Sequence, residues 1–145
     1  MEYYALDQKL ALFAVFMQVA LTFYAIFRMG QMRIRSIRQF RIPLSEIAID
    51  ARRYPEQAQV YSNNLSNQFE TPILLYTAVL FAMVYDANSM VLSWLTLAYV
   101  ASRYVHRYIH VKRNNVVLRF QVYLAGVIFL GLAWIVLGLS ILEWI

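Results

Sequence analysis

The 145-residue chain contains no cysteine, and it has few charged residues, glycines and prolines. The absence of cysteine excludes disulfides, a cysteine nucleophile and thiolate metal ligands, so any sulfur chemistry needs a thiol supplied by a small molecule. Only four glycines and three prolines are present, which leaves little sequence for flexible linkers. No repeat or low-complexity segment interrupts the chain. These shortages favour a single domain over residues 1–145.

Apolar residues dominate what remains. Hydrophobic side chains make up 61% of the chain and charged ones 14%, and the mean hydropathy of +0.52 is high for a soluble domain. A spanning helix needs about 20 apolar residues to cross a hydrocarbon core of about 30 Å. Charge-free runs occur at residues 10–27, 71–85, 87–102 and 120–142. The sequence therefore predicts an all-α integral membrane protein, an up-down bundle of four transmembrane helices at about residues 6–29, 56–86, 88–110 and 117–143.

Positive charge is concentrated in two segments of the chain. One follows the first predicted helix and the other surrounds the turn between the third and fourth helices, and Lys9 is the only cationic residue elsewhere. Because Lys and Arg accumulate on the cytoplasmic side of short loops, both basic loops are predicted to be cytoplasmic and both termini outside. We expect the first run to stay in the membrane and not to be a cleaved signal peptide, since it follows an acidic start and lacks a small-residue cleavage pattern.

The two middle runs are too short to span the bilayer unless each borrows about one turn from polar sequence at its cytoplasmic end. Helical spacing then places polar residues on one arc of each helix. These residues are Asn63, Asn67 and Glu70 on helix two and Arg103, His106, Arg107 and His110 on helix three. Ionisable residues at this depth usually face the bundle interior and pair, so we expect Glu70 to pair with Arg103. Arg119 would begin helix four, where the helix dipole also favours an anion.

Several of these features have simpler explanations. The arginines between residues 28 and 41 could only set orientation by binding lipid headgroups. Glu70 could form a purely structural ion pair. The i, i+4 pair His106 and His110 could bind a metal, but two arginines on the same arc repel a cation, so no metal is predicted. Tyr123, one turn after Arg119, is a candidate pocket residue.

The spacing of the polar motifs resembles that of a known family. The motifs are N-x-x-E-x-P at Asn67, Glu70 and Pro72, R-x-x-H at Arg103 and His106, and Arg119, sixteen residues after Arg103. With four spans and outside termini, they look like MAPEG proteins, the membrane-associated proteins of eicosanoid and glutathione metabolism. Microsomal glutathione transferases and the leukotriene C and prostaglandin E synthases belong to that family. The segment GQMRIR at residues 30–35 is similar to the basic end of helix one in its prostaglandin synthases.

The resemblance implies a homotrimer in the lipid bilayer, with glutathione as co-substrate between neighbouring subunits at the cytoplasmic end, and no nucleic-acid partner. Carried over by position, the catalytic residues would be Arg119 and Arg103, and the cofactor-binding residues Arg33, Asn67, Glu70, His106, His110 and Tyr123. General chemistry agrees with this assignment. Two carboxylates suit arginines, an ammonium suits a buried glutamate, and a guanidinium beside sulfur stabilises thiolate over thiol.

Three positions depart from the pattern of the eicosanoid enzymes. Ser66 stands where those enzymes have an arginine, His110 where they usually have a tyrosine, and Phe120 where the prostaglandin synthases have a serine. The pocket therefore lacks part of the expected polar lining, which argues against eicosanoid synthesis. The chain looks more like a bacterial-type member, for which the inner membrane is the expected location.

Two functions remain open at this point. The first is a membrane-bound transferase or peroxidase that uses glutathione or a related thiol on a lipophilic electrophile, with arginine stabilising the thiolate. The alternative is a non-catalytic trimeric scaffold whose basic chamber binds an anionic lipid or a partner protein. A channel is disfavoured because no polar path continues into the outer half of the spans.

Overall fold

A computed structural model describes residues 5–112 and 115–143. In these ranges the chain forms six α-helices and a short 3-10 helix, Ala51–Arg53, with no strand. The α-helices are α1 (Leu6–Phe40), α2 (Leu44–Ile49), α3 (Glu56–Ser66), α4 (Pro72–Val84), α5 (Met90–Lys112) and α6 (Val116–Ile141). The terminal residues that are predicted to lie outside, and the basic Arg113, fall outside the described residues.

Helices α1 and α6 are each long and apolar enough to cross a membrane. Only 28% of the most apolar window of α1 and 22% of that of α6 are buried, so most of their apolar side chains face outward. Large exposed side chains such as Phe13, Phe16 and Phe23 make this surface suitable for lipid contact. Helix α4 is apolar but has 13 residues, and α5 carries the predicted polar arc at its end.

Helix α1 is longer than the sequence predicts. We expect the first helix to end near residue 29, but α1 continues as far as Phe40, where Arg41 adopts a left-handed conformation (φ 50°) and Pro43 follows. The basic residues after 28 end the apolar run without ending the helix, because arginine and glutamine are good helix formers. The added turns pack on α3, where Arg33 Nη2 donates to Ser62 Oγ (3.2 Å) and its guanidinium lies over the Tyr54 ring.

The predicted second helix is broken in two. Residues 67–71 form a turn between α3 and α4, and α4 begins at Pro72. Proline has no N–H to donate to the residue four positions earlier and its ring clashes with that carbonyl, so an uninterrupted helix is disfavoured at this point. The break frees the backbone carbonyl of Asn67 for a bond from another helix.

The connection between α1 and α3 lies at the basic end of the bundle and contains two local ion pairs. Arg52 Nε binds Asp50 Oδ1 (3.0 Å) and Arg53 Nη1 binds Glu46 Oε2 (3.4 Å). The hydrogen bonds from Arg52 lower the pKa of the Asp50 carboxyl. Both pairs are exposed, so they contribute little stability.

The interior of the bundle joins α1, α4, α5 and α6. One cluster contains Ala11, Ala14, Leu75, Val79, Tyr99, Val100 and Leu130. Side chains of α5 also bind backbone carbonyls of α1, since Tyr104 Oη donates to Met17 O (2.9 Å) and Ser93 Oγ to Asp7 O (2.7 Å). These contacts fix α5 along the length of α1 and hold its polar end in place.

Candidate functional site

The polar end of α5 is buried inside the protomer. Arg103, His106, Arg107 and His110 expose only 1%, 3%, 6% and 4% of their surface. The sequence pattern places these four residues on one arc, and the helix turns that arc inward. Burying two guanidinium groups is costly unless hydrogen bonds or counter-charges compensate for lost water. The partners of each side chain therefore indicate what the site can hold.

Arg103 is the most deeply buried of these residues. Its Nη2 donates to the Asn67 carbonyl oxygen, which the break before Pro72 leaves free. Its guanidinium carbon lies 6.0 Å from the centre of the Tyr123 ring. Its Nε and Nη1 are buried and have no hydrogen-bond partner among the described residues. Two donors of a planar cation thus remain available to an acceptor.

The two histidines continue this surface toward the start of α6. His106 Nδ1 lies 3.2 Å from the Arg119 carbonyl oxygen, and the His106 ring centre is 5.8 Å from those of both His110 and Tyr123. In the described part of the chain, His106 Nε2 and His110 Nδ1 are buried without a hydrogen-bond partner. Because the Arg119 carbonyl oxygen accepts from His106 Nδ1–H, Nε2 of the neutral His106 ring is an acceptor, whereas His110 Nδ1 can donate or accept according to its tautomer.

The first turn of α6 forms the edge of this cluster. Asn115 caps the helix by accepting from the Leu118 N–H (3.1 Å), and Arg119 follows in the first turn. The Arg119 charge is close enough to act on both His106 and His110. A helix N-terminus and a guanidinium together create a positive potential suited to an anion or a thiolate.

Arg107 does not join this cluster. Its Nη1 donates to Asn64 Oδ1, and its guanidinium carbon is 4.7 Å from the centre of the Tyr24 ring. It therefore turns toward α1 and α3, whereas the sequence predicts one chamber containing all four polar residues of α5. An arc of about 100° on a helix is wide enough to face two different neighbours.

The expected ion pair between Glu70 and Arg103 is not formed in the described structure. Glu70 is exposed and its carboxylate contributes only a longer-range attraction at Arg103, which bonds instead to the Asn67 carbonyl oxygen. The turn after α3 changes the direction in which Glu70 projects. Asn63 on the same predicted arc is exposed as well, and Asn67 is half-buried.

Two polar side chains of α3 and the following turn are buried although the sequence analysis did not predict it. They are Asn64 and Gln68. Gln68 Oε1 accepts from Gln18 Nε2 of α1 (3.1 Å), and Gln68 Nε2 donates to the Asn64 carbonyl oxygen (3.3 Å). A signal for them was present, because Asn64 and Gln68 are four residues apart and Gln18 is an isolated amide within an apolar span.

Arg33 lies apart from the cluster within the protomer. It binds Ser62 and Tyr54 on the α1–α3 side, and none of the interactions found for it reach the residues around Arg103. Its Nε is buried without a hydrogen-bond partner among the described residues. A role for Arg33 beside Arg103 would therefore require a neighbouring subunit.

The cluster suits an anionic ligand that has several acceptors and at least one donor, the donor being for His106 Nε2. Arg103 Nε and Nη1, His106 Nε2 and His110 Nδ1 are four polar atoms in need of partners, and Arg119 adds positive charge beside them. A guanidinium binds carboxylate well, and the tripeptide glutathione has two carboxylates, so the residues present fit that co-substrate. Among the described residues no three His, Asp or Glu side chains converge as metal ligands would.

Comparison with known proteins gives a match to a family model. The model of the MAPEG family matches residues 11–139, which is nearly the whole chain and includes every residue of the cluster. No curated protein and no solved structure matches the chain.

Proposed function

The chain belongs to the MAPEG family, and from this premise we propose that it is a membrane-bound enzyme that transfers glutathione, or a related anionic thiol, to a lipophilic electrophile. The family includes glutathione transferases and peroxidases as well as non-catalytic members. The observation that favours an enzyme is a set of four buried polar atoms that have no partner among the described residues and lie beside Arg119 at the start of α6. A purely structural cluster would be expected to satisfy its own hydrogen bonds.

Each residue of the cluster has a role in this proposal. Arg103 donates from Nη1 to a carboxylate of the tripeptide and from Nε to a second acceptor, while its bond to Asn67 holds the guanidinium in place. His106 and His110 bind further polar groups, and the Tyr123 ring covers Arg103. Arg119 stabilises the thiolate, which is the reactive form of sulfur, so that it can attack an electrophile that enters from the bilayer.

The homotrimer belongs to the same proposal. Glu70 and Asn63 are exposed on the protomer although they lie close in sequence to the buried cluster. In a trimer they could face a neighbouring subunit, where Glu70 would bind the ammonium of the tripeptide and Asn67 a polar group. Arg33 would then act across the subunit boundary. We further propose a bacterial inner membrane, with the basic loops in the cytoplasm.

Calorimetric titration of glutathione into the purified, detergent-solubilised oligomer tests this function. We expect saturable binding, which Arg103→Gln abolishes, and transfer of glutathione to chlorodinitrobenzene that Arg119→Ala slows by about a hundredfold or more, as for loss of one group that stabilises a developing anion. Arg38→Gln, which changes an exposed arginine in the last turn of α1, is the matched control and should leave both properties unchanged. Absence of binding at millimolar glutathione would remove glutathione from the proposal.

The second candidate is a non-catalytic scaffold that uses the same cluster for an anionic lipid or a partner protein. The observation in its favour is the surface next to Arg119, where Phe120 exposes 61% of its area and offers no polar group. In this case glutathione transfer would stay at the uncatalysed rate in the native protein, and Arg119→Ala would have no rate to change.

A further inference from the structure

A second cationic cleft lies on the other side of α5, between α5, α1 and α3. Its volume is about 240 Å³, and the side chains that line it include Tyr24, Arg28, Tyr61, Arg107, Tyr108 and Lys112. None of the residues of the Arg103 cluster lines it. The cleft is therefore separate from the proposed thiol site, and a ligand bound in it would not depend on that function.

Arg107 is the central charge of this cleft. Only 6% of its surface is exposed, yet the partners found for it are neutral: the side-chain oxygen of Asn64 and the ring of Tyr24. In the part of the chain that the structure describes, no carboxylate pairs with it. A buried guanidinium without a counter-charge is unfavourable, and an anion that binds beside it relieves that cost.

The other cations of the cleft increase the need for an anion beside Arg107. Arg28 lies over the Tyr61 ring (5.9 Å) and repels Arg107 electrostatically, and Lys112 lies on the same wall. Of the residues that the structure describes, none with an acidic side chain lines the cleft. Three cations around a small volume favour one compact anion that all three can reach, and phosphate is such an anion.

The position of the cleft indicates where this anion comes from. Arg28 directly follows the charge-free run at residues 10–27, which places it at the boundary of the hydrocarbon core. Tyr24 and Tyr108 line the cleft and expose 54% and 59% of their surface, as tyrosines do at a membrane interface. Leu21 and Val111 provide an apolar part of the lining. An anion with attached acyl chains matches both the polar and the apolar parts.

We propose that the cleft between α1, α3 and α5 binds the phosphodiester headgroup of an anionic phospholipid. Arg107 and Arg28 bind the phosphate oxygens, Lys112 adds charge at the rim, and the acyl chains pass Leu21 and Tyr24 into the bilayer. The bound headgroup joins the cytoplasmic halves of α1 and α5 and neutralises the buried charge of Arg107.

Native mass spectrometry of the full-length oligomer, released from nanodiscs of phosphatidylglycerol or of phosphatidylcholine, tests the proposal. We expect phosphatidylglycerol adducts to survive release and phosphatidylcholine adducts to be lost. Arg107→Gln and Arg28→Gln should each reduce retained phosphatidylglycerol by about tenfold, as expected for loss of a charge-assisted contact. Arg38→Gln removes an exposed arginine of α1 that does not line the cleft, so it should retain lipid as the native protein does.

Three results would overturn the proposal. The first is equal retention of both lipids, and the second is equal loss in Arg38→Gln, which would indicate non-specific surface charge. The third is displacement of the lipid by inorganic phosphate at similar concentration, which would identify a soluble phosphate as the ligand. Arg28 is only half-buried, so Arg28→Gln remains informative if Arg107→Gln does not fold, and unchanged retention in Arg28→Gln would equally contradict the proposal.

Discussion

Tyr99 and Thr71 form a hydrogen bond that links the break in the second span to the polar end of α5. Their hydroxyl oxygens are 2.9 Å apart, Tyr99 is 1% exposed, and Arg103 follows one turn later on the same helix. The bond therefore holds the turn after α3 beside the guanidinium that binds the Asn67 carbonyl oxygen. At the scale of single residues, hydrogen bonds between neutral side chains such as these position the charged side chains.

Removal of the bond between Tyr99 and Thr71 should lower the free energy of unfolding, and the loss should be similar whichever residue is changed. Tyr99→Phe and Thr71→Val should each lower the free energy of unfolding by about 1 kcal/mol, because each deletes one side of the same hydrogen bond. The double variant should lose clearly less than the sum of the two. Denaturant unfolding in detergent measures all three losses. Strict additivity would show that the two hydroxyls do not stabilise one another.

A change at Ser66 tests the proposed thiol site from the opposite direction, by adding a contact. Ser66 is exposed and its hydroxyl donates to the Ser62 carbonyl oxygen in its own helix (3.3 Å), so a larger side chain fits without disturbing the interior. Ser66→Arg should strengthen glutathione binding by about tenfold if the tripeptide binds beside α3. Calorimetric titration measures the change.

The control for this prediction is Ser66→Gln, which adds length without charge and should leave the affinity near that of the native protein. An equal gain in both variants would assign the effect to size rather than charge. No gain in Ser66→Arg would place the ligand away from α3.

At the scale of helices, sequence patterns could predict which residues of α5 lie inside but not which neighbour each one meets. The 3.6-residue period places Arg103, His106, Arg107 and His110 on one arc, and all four are buried. The same period cannot say that Arg107 turns to Asn64 while Arg103 turns to Asn67, because that depends on where α1 and α3 pack. The packing of α1 and α3 also determines that Asn64 is buried and Asn63 is exposed.

Helix ends show a similar limit. Pro72 is a visible signal for the break, whereas the extension of α1 to Phe40 follows from packing on α3 that no local pattern reports. The charge-free runs mark the apolar parts of helices, and a helix continues wherever its backbone bonds and contacts allow. Polar sequence after an apolar run therefore predicts the end of the membrane layer better than the end of the helix.

The packing of α5 on α6 depends on a small residue at one crossing point. Gly126 is buried, and a Cβ atom added there would overlap with Ser102 Oγ. The same Cβ would lie 3.4 Å from Ser102 Cβ, which is an ordinary van der Waals contact. The Ser102 hydroxyl donates to the Tyr99 carbonyl oxygen (2.6 Å), so it cannot move without losing that bond. The close approach of the two helices thus requires glycine only as long as residue 102 is serine.

This dependence on Ser102 predicts that the effect of Gly126→Ala on the free energy of unfolding changes sign when Ser102 is replaced. Gly126→Ala should lower the free energy of unfolding by about 1 to 3 kcal/mol in the native background, because it overpacks the contact with Ser102. In a Ser102→Ala background the same change should raise it by about 0.5 to 1 kcal/mol, because alanine favours the helix over glycine. Unfolding curves of the four proteins measure both effects, and the same sign in both backgrounds would contradict this account.

The whole molecule concentrates its positive charge at one end. All Lys and Arg residues except Lys9 belong to the two basic segments, and both cationic sites lie on opposite sides of the same end of α5. In our two proposals, this end of the bundle binds a soluble anionic thiol on one side and a lipid headgroup on the other. The proposed thiol transfer requires that this end face the compartment that supplies glutathione.

Labelling with a membrane-impermeant maleimide tests this orientation directly. Because the chain has no cysteine, a single introduced one is the only thiol that reacts. Ser45→Cys lies in the basic connection and Met90→Cys at the opposite end of the bundle, and both native side chains are exposed. In intact bacterial cells we expect labelling of Met90→Cys and protection of Ser45→Cys, since positive loops stay in the cytoplasm.

Equal labelling of both variants after detergent is added provides the control, because it shows that each thiol is reactive once the membrane no longer shields it. Labelling of Ser45→Cys in intact cells would place the basic end outside. The Arg103 cluster would then face a compartment without the cytoplasmic supply of thiol, and the scaffold function would become the better explanation of its charge. The structure of the cluster is compatible with both the enzyme and the scaffold. The orientation of the whole molecule thus decides between these two functions.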